Sequence, residues 1–277
     1  MWFIYALIAG VFFAINSLMI RHYARKNEDM WILSFYFSFI GSIISLPLFL
    51  YEFRVSYDWT FWGGILLIGV ILVINNILGF KAARLLGATT QNVFGKLKLI
   101  WLLIAGIVVF GEVITLQKGI GMILIMAASL LILDYNNWKA SKQGIILIIL
   151  ATFTSAIYGV LLKRVLGMSG VLTMIFLVAI VPAILNAIVI PDFWNRAKKE
   201  FINIKSLIAI CIIGIIANLS MIKALSYNVL SGVYFIMDAS LIIIIFGEHF
   251  ILKEKERVIW KIIAAAFAIA GAILLQI

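Results

Sequence analysis

An all-α integral membrane fold is what this sequence predicts: ten transmembrane helices arranged as two inverted five-helix repeats. Three observations lead there. Hydrophobic residues make up 65% of the 277 positions and the mean hydropathy is +1.18, outside the range of soluble globular domains. The apolar residues fall into runs near the roughly 20 residues that cross a ~30 Å hydrocarbon core. The charged residues, 12% of the chain, gather mostly between those runs.

The runs fall at 2–20, 31–50, 59–80, 88–109, 116–133, 144–162, 169–190, 206–222, 225–246 and 258–276. The first begins at Trp2 with neither a basic leader nor a small-residue cleavage site, so it reads as a span rather than a signal peptide. Arg21, Arg25 and Lys26 end it, and Glu52 and Arg54 end the second. The third stops at Lys81. Gly111-Glu112 closes the fourth and Gly247-Glu248 the ninth; each glycine can end a helix, and each carboxylate can accept bonds at the start of the next one. Asp134 bounds the fifth run, Lys163-Arg164 the sixth, Pro191 the seventh and Lys223 the eighth. Lys253-Glu254-Lys255-Glu256-Arg257 reads as a solvated linker before the tenth. The longest connections, Asp134–Gln143 and Pro191–Lys205, are too short for a folded catalytic module. The one cysteine, Cys211, sits in an apolar run, which excludes a disulfide framework.

The halves echo each other. Ala14-Ile15 followed by Arg21-His22 recurs as Ala156-Ile157 followed by Lys163-Arg164, and Lys81-Ala82 recurs as Lys223-Ala224 at the same offset of 142. Phe110-Gly111-Glu112 recurs as Phe246-Gly247-Glu248. The predicted repeats are residues 1–135 and 143–277. Five helices per copy is an odd number, so the second copy enters the membrane upside down, a common plan for secondary transporters with a site between the repeats.

Lys96 and Lys98 stand inside the fourth run, with Lys98 roughly 15 Å from either end at ~1.5 Å of rise per residue. A lysine there costs at least ~2.5 kcal/mol unless it faces protein or water. Two residues apart on a helix, the lysines point about 200° from each other, so Lys98, nearer the midplane, is the candidate for a central cavity. Its role would be a point-charge partner for a carboxylate or phosphate; a buried structural pair with Asp238 is the competing reading. Asp238, near mid-depth of the ninth run, is a candidate coupling group or charge partner. Asn75, Asn76, Gln91 and Asn92 cluster where the third and fourth spans meet, and Asn16, Tyr158, Asn218 and Tyr234 are candidate lining residues from other spans. Interhelical hydrogen bonding is the default use of amides in lipid. His22 and His249 stand alone, without metal-ligand spacing, and no metal or cofactor is expected.

The stretch Asn75-Asn76-Ile77-Leu78, Lys81-Ala82-Ala83, Leu86-Gly87-Ala88-Thr89-Thr90-Gln91, Lys96-Leu97-Lys98, Phe110-Gly111-Glu112 and Leu116-Gln117 resembles the third-to-fifth helix region of the drug/metabolite transporter superfamily. Its paired asparagines and Leu-Lys step are similar to the nucleotide-sugar transporter branch, and its Gly-Glu with a short polar link to EamA-type members. Two sites depart from the nucleotide-sugar pattern: Lys163 stands where those carriers have an acidic residue, and Ser231 follows Asn228-Val229-Leu230 where they have a lysine. The resemblance implies a secondary transporter of a small polar or anionic metabolite, a nucleotide sugar or related phosphorylated compound among them. The alternative is an EamA-like exporter of amino acids or hydrophobic drugs.

Other classes fit less well. No Gly-x-x-x-x-Gly-Lys-Ser/Thr sequence points to nucleotide hydrolysis. An integral-membrane enzyme on lipid-linked substrates would need clustered carboxylates, histidines or a nucleophile–base spacing, and a channel would need a carbonyl filter or charge rings. The expected partners are a small-molecule substrate and the lipid bilayer. The net charge of +10 is interhelical and suits anionic headgroups rather than nucleic acid. A multi-pass protein of the plasma (inner) membrane, monomeric or homodimeric, is expected.

With the termini outside, fifteen of the interhelical Lys and Arg residues lie on the cytoplasmic side and five, Arg54, Lys118, Lys163, Arg164 and Lys223, on the other. The positive-inside rule therefore favours external termini, whereas the family resemblance implies cytoplasmic ones. A reporter enzyme fused after Ile277 is expected to read out externally on the charge argument; cytoplasmic activity would decide for the resemblance.

Overall fold

The structure, a computed structural model, describes residues 2–26, 29–110, 115–131, 138–166, 168–200, 204–227, 237, 240–253 and 258–274. Every regular element among them is a helix: α1 (Trp2–Lys26), α2 (Met30–Glu52), α3 (Trp59–Leu85), α4 (Ala88–Gly95), α5 (Leu97–Phe110), α6 (Leu116–Leu131), α7 (Trp138–Leu166), α8 (Val171–Val189), α9 (Phe193–Glu200), α10 (Ile204–Tyr227), α11 (Leu241–Phe250) and α12 (Val258–Leu274). In hydrocarbon each backbone N–H and C=O needs a partner within the chain, and a helix supplies them locally. Five helical segments, Phe3–Arg25, Met30–Glu52, Trp59–Leu85, Lys142–Leu162 and Val171–Val189, are long and apolar enough to cross a membrane. Leu116–Leu131, Lys205–Met221 and Val258–Leu274 are shorter apolar helices.

Two expectations are corrected. The run 88–109 is not one helix: it breaks after Gly95, where the Lys96 N–H bonds to Val93 O at 3.1 Å and Leu99 N–H to Lys96 O at 2.9 Å. These are tightened turns, eased by a glycine of low helix propensity. The connection after α8 contains the helix α9, and α10 runs on to Tyr227, so no new span begins at 225.

The most extensive packing pairs α3 with α7, α2 with α8, α1 with α10, and α6 with α12. Small residues bring these pairs together, as they do where lipid removes the hydrophobic drive between helices. Ser34, Ser38, Ser42 and Ser45 are buried along α2, and Asn186 of α8 donates to Ser34 Oγ at 3.2 Å. A Cβ on Gly271 of α12 would stand 2.7 Å from the Gly121 carbonyl oxygen of α6.

One face of the bundle carries the ends of α1 and α3, the starts of α4 and α7, the helix α9, and the end of α11. Its basic residues have specific work. Buried Arg21 donates through Nη1 to the carbonyls of Ala83 and, at 2.7 Å, Arg84, capping the negative end of α3. Asp29 caps α2, accepting from Trp31 and Ile32 N–H at 3.2 Å. Its two oxygens also take Arg196 of α9 at 2.7 Å each, a bidentate pair. Tyr36 donates to Ala197 O at 2.8 Å, and Phe35 meets Phe193 edge-on. On the opposite face, Glu52 at the end of α2 accepts from Leu172 and Thr173 N–H at the start of α8, at 2.6 and 3.0 Å.

Burial pulls the Asp29 carboxyl upward, but the bonds from Arg196 and from the helix N–H groups outweigh it and hold it below the usual carboxylate value. A depressed folded-state pKa stabilises above the unfolded value of about 4 and is lost as pH falls through the lower folded value. The thermal midpoint is therefore expected to favour wild type over Arg196→Gln by a constant margin from neutral pH to about pH 4.5, with the margin shrinking below about pH 4. A margin that grew in acid would contradict the assignment.

Candidate functional site

The amides singled out in the sequence divide into two groups. The first joins helices. Asn16, buried on α1, donates to Ile210 O of α10 at 2.7 Å, and Gly214 leaves room for it: a Cβ there would stand 3.3 Å from the Asn16 amide nitrogen. Asn75 of α3 faces three acceptors on α7: Ala151 O at 2.6 Å, Thr154 Oγ1 at 2.8 Å and Ser155 Oγ at 2.9 Å. Gln91 of α4 donates to Gly79 O of α3 at 3.2 Å. Asn92, on the same helix, donates to Ser17 Oγ of α1 at 2.7 Å and to Ala88 O at 2.8 Å.

Of the remaining candidates, Asn76, Asn218 and Lys98 make no hydrogen bond to another described helix. Asn76 is half-buried, one turn before Gly79, with no hydrogen-bond partner among the described residues. It lies with Gly79 on the side of α3 away from the exposed stripe of Leu67, Val70 and Ile74. Asn218 is exposed, although it shares its α10 stripe with buried Leu207, Cys211 and Gly214, and its amide nitrogen turns back to Gly214 O at 2.8 Å. Lys98 is half-buried, with no hydrogen bond or ion pair among the described residues. Tyr158 is half-buried against the cluster of Phe61, Ile65 and Val165. Tyr234 and Asp238, and with them the Lys98–Asp238 pair, lie outside the described residues.

Gly79 of α3 and Gly95 of α4 each have free space beside them. A Cβ added at Gly79 or at Gly95 would meet no atom within 4 Å. The two helices are joined by the Gln91–Gly79 contact. Stepping inward from that contact leads to Asn76 on one helix and Gly95 on the other. Lys98 stands three residues past Gly95, just beyond the break. Trp101 of α5 donates to Thr152 Oγ1 of α7 at 3.2 Å and holds the segment beyond the break. Asn76, Gly79, Gly95 and Lys98 together mark a candidate recess, with an amide and an ammonium beside two unfilled glycine positions. A half-buried ammonium beside a second lysine attracts an anion and repels a cation.

Sequence reasoning missed the partner of Glu248. This carboxylate is fully buried, and its Oε2 accepts from Thr89 Oγ1 and, at 3.2 Å, from Thr89 N–H at the start of α4. Lys261 of α12 reaches the same oxygen at 3.1 Å. The expectation that Glu248 serves the beginning of the next helix is corrected, because α11 continues past Gly247 to Phe250. Gly247 is needed for space: a side chain there would collide with Leu18 of α1. Glu112, its counterpart in the first half, lies outside the described residues. Among the described residues no group of three His, Cys, Asp or Glu side chains could hold a metal ion.

Asn75→Ala is expected to destabilise by about 0.6–1.7 kcal/mol, the range for interhelical hydrogen bonds in membranes, and Asn76→Ala to leave stability within about 0.5 kcal/mol. Unfolding followed by exposure of the buried Cys211 thiol to a fluorogenic maleimide measures both. Equal losses would place Asn76 in a packing role too.

Compared with known proteins, no curated protein matches the chain. The profile of the EamA-like transporter family matches it twice over, at residues 1–134 and 142–277.

Proposed function

The chain belongs to the EamA-like transporter family of the drug/metabolite transporter superfamily, and from that premise we propose that it is a secondary carrier moving a small anionic metabolite by alternating access. Membership makes it a multi-pass integral membrane protein of a family whose members are transporters, not enzymes. The proposal adds ten spans in two inverted repeats, residues 1–135 and 143–277, in the plasma membrane.

Several features support the repeats. The family profile matches each half separately. The offset of 142 that relates Lys81 to Lys223 also relates Asn16 to Tyr158 and Asn76 to Asn218. Exchanging the halves maps the main helix pairs onto themselves: α2–α8 and α6–α12 each onto itself, and α1–α10 onto α7–α3. That is the behaviour of two copies related by a two-fold axis in the membrane plane.

The observation that carries the substrate class is Lys98, half-buried just past the break at Gly95 with no hydrogen bond or ion pair among the described residues, and it is proposed to face the candidate recess beside Asn76. Such a lysine is tolerated at mid-depth when water or an anion meets it. Asp238 is proposed as its counter-charge in the empty carrier, displaced by the substrate, and Tyr234, Tyr158, Asn218 and Asn16 as further lining or supporting residues. A second reading, an exporter of amino acids or hydrophobic compounds, is favoured by Ser231 standing where nucleotide-sugar carriers have a second lysine.

Purified protein screened against nucleotides, sugar phosphates, amino acids and cationic drugs is expected to be stabilised by an anion, by about 2.7 kcal/mol at a hundredfold excess over Kd. In proteoliposomes, Lys98→Ala should abolish uptake or exchange of that compound while the protein still folds. Undiminished transport by Lys98→Ala would remove Lys98 from the site, and stabilisation by neutral or cationic compounds alone would select the second reading.

A further inference from the structure

Between the recess and the basic face lie two layers of cross-links. The inner one is made by Gln91 to Gly79 and Asn92 to Ser17, all within the first half. The outer one crosses the halves. Glu248 of α11 accepts from the Thr89 N–H and hydroxyl at the start of α4, and Lys261 of α12 neutralises it at 3.1 Å. Three features make this contact unlike ordinary packing. Glu248 is fully buried, yet its Oε1 has no partner among the described residues, so half of its bonding capacity is unused. The Oε2 bonds sit on the positive end of α4, where a carboxylate is most strongly held. And α4 is an eight-residue helix that ends at the Gly95 break, so this contact sits at the first turn of a short element, whose Ala88, Val93 and Phe94 pack into the same buried cluster as Leu241, Ile244 and Ile245 of α11.

We propose that Glu248 is a positioning residue for transport: its bond to the start of α4 is the latch that shuts the recess off from the basic face, with Lys261 as its counter-charge. This rests on the alternating-access reading. When the latch releases, Glu248 keeps Lys261 as a partner in its own half, while Thr89 is left to water entering from the basic face. A natural control exists at the opposite face. Glu52 also caps a helix of the other half, but α2 and α8 pack along their lengths, so that contact is a fixed joint.

The test places a reporter in the recess. Gly95→Cys faces open space, and the native Cys211 is buried. A membrane-impermeant maleimide is applied to vesicles of both orientations, with and without the stabilising anion. The latched carrier should label from the face opposite Glu248. Adding Glu248→Gln should raise labelling from the basic face by about fivefold or more. Thr89→Val should act in the same direction more weakly and Thr89→Ser should restore the original sidedness, while Glu52→Gln leaves sidedness unchanged. Unchanged sidedness in folded Glu248→Gln, or an equal shift in Glu52→Gln, overturns the latch. So does failure of both Glu248→Gln and Thr89→Val to yield folded protein, since the contact is then structural. If the Gly95→Cys carrier itself labels equally from both faces and the anion changes nothing, alternating access fails instead.

Discussion

Water is absent from the middle of a bilayer, so each polar atom placed there must find its partner in the protein, in the cargo or in a hydrated recess. That constraint sorts the side chains of this chain into two sets. Asn16, Asn75, Gln91 and Asn92 meet it by binding across helix pairs, and in doing so set the register of α1 on α10, α3 on α7, and α4 on α3 and α1. Asn76 and Lys98 are left without such partners among the described residues, beside the glycines that keep space open. The joined set builds the walls against which the unjoined set is displayed.

The helices were largely legible in the sequence because their length is dictated by membrane thickness and their ends by charge. The second span was read at 31–50 and is Met30–Glu52; the tenth was read at 258–276 and is described to Leu274. What could not be read depends on partners distant in the chain. The break after Gly95 lies in an apolar stretch whose composition still favours a continuous helix, with one glycine as the only local signal. The helix α9 is short and polar; its stability comes from Asp29, Phe35 and Tyr36, more than 150 residues earlier in the chain. Glu248 illustrates the same limit: the glycine before it suggested a helix end, whereas the glycine serves the close approach of Leu18.

The candidate site was legible in residue type and not in role. A pair of adjacent asparagines permits only one to face inward, but which one depends on where α7 packs, and that is settled by Ala151, Thr154 and Ser155 gathering around Asn75. Lys98 was distinguishable from Lys96 by depth and by the Leu-Lys step of the family pattern; the structure adds that it is half-buried just past the break at Gly95. The charged residues at the basic face, which composition assigns to lipid headgroups, include Arg21, Arg196 and Lys261, each spent on a specific internal contact. Counting them as free surface charge overstates what is available to the membrane.

The anchoring of α9 has a mechanical corollary. By chain order it belongs to the second half, yet the Arg196 guanidinium, the Ala197 carbonyl and the Phe193 ring bolt it to α2 of the first. A short strut thus travels with one half while its flanking segments are continuous with α8 and α10 of the other. Because α2 and α8 also pack along their lengths, the strut and α8 are held to the same helix, and the turn between them at Asp192, with φ of 51°, joins two elements that share one partner. The strut therefore locks α2 and α8 together at the basic face, as Glu52 does at the opposite one.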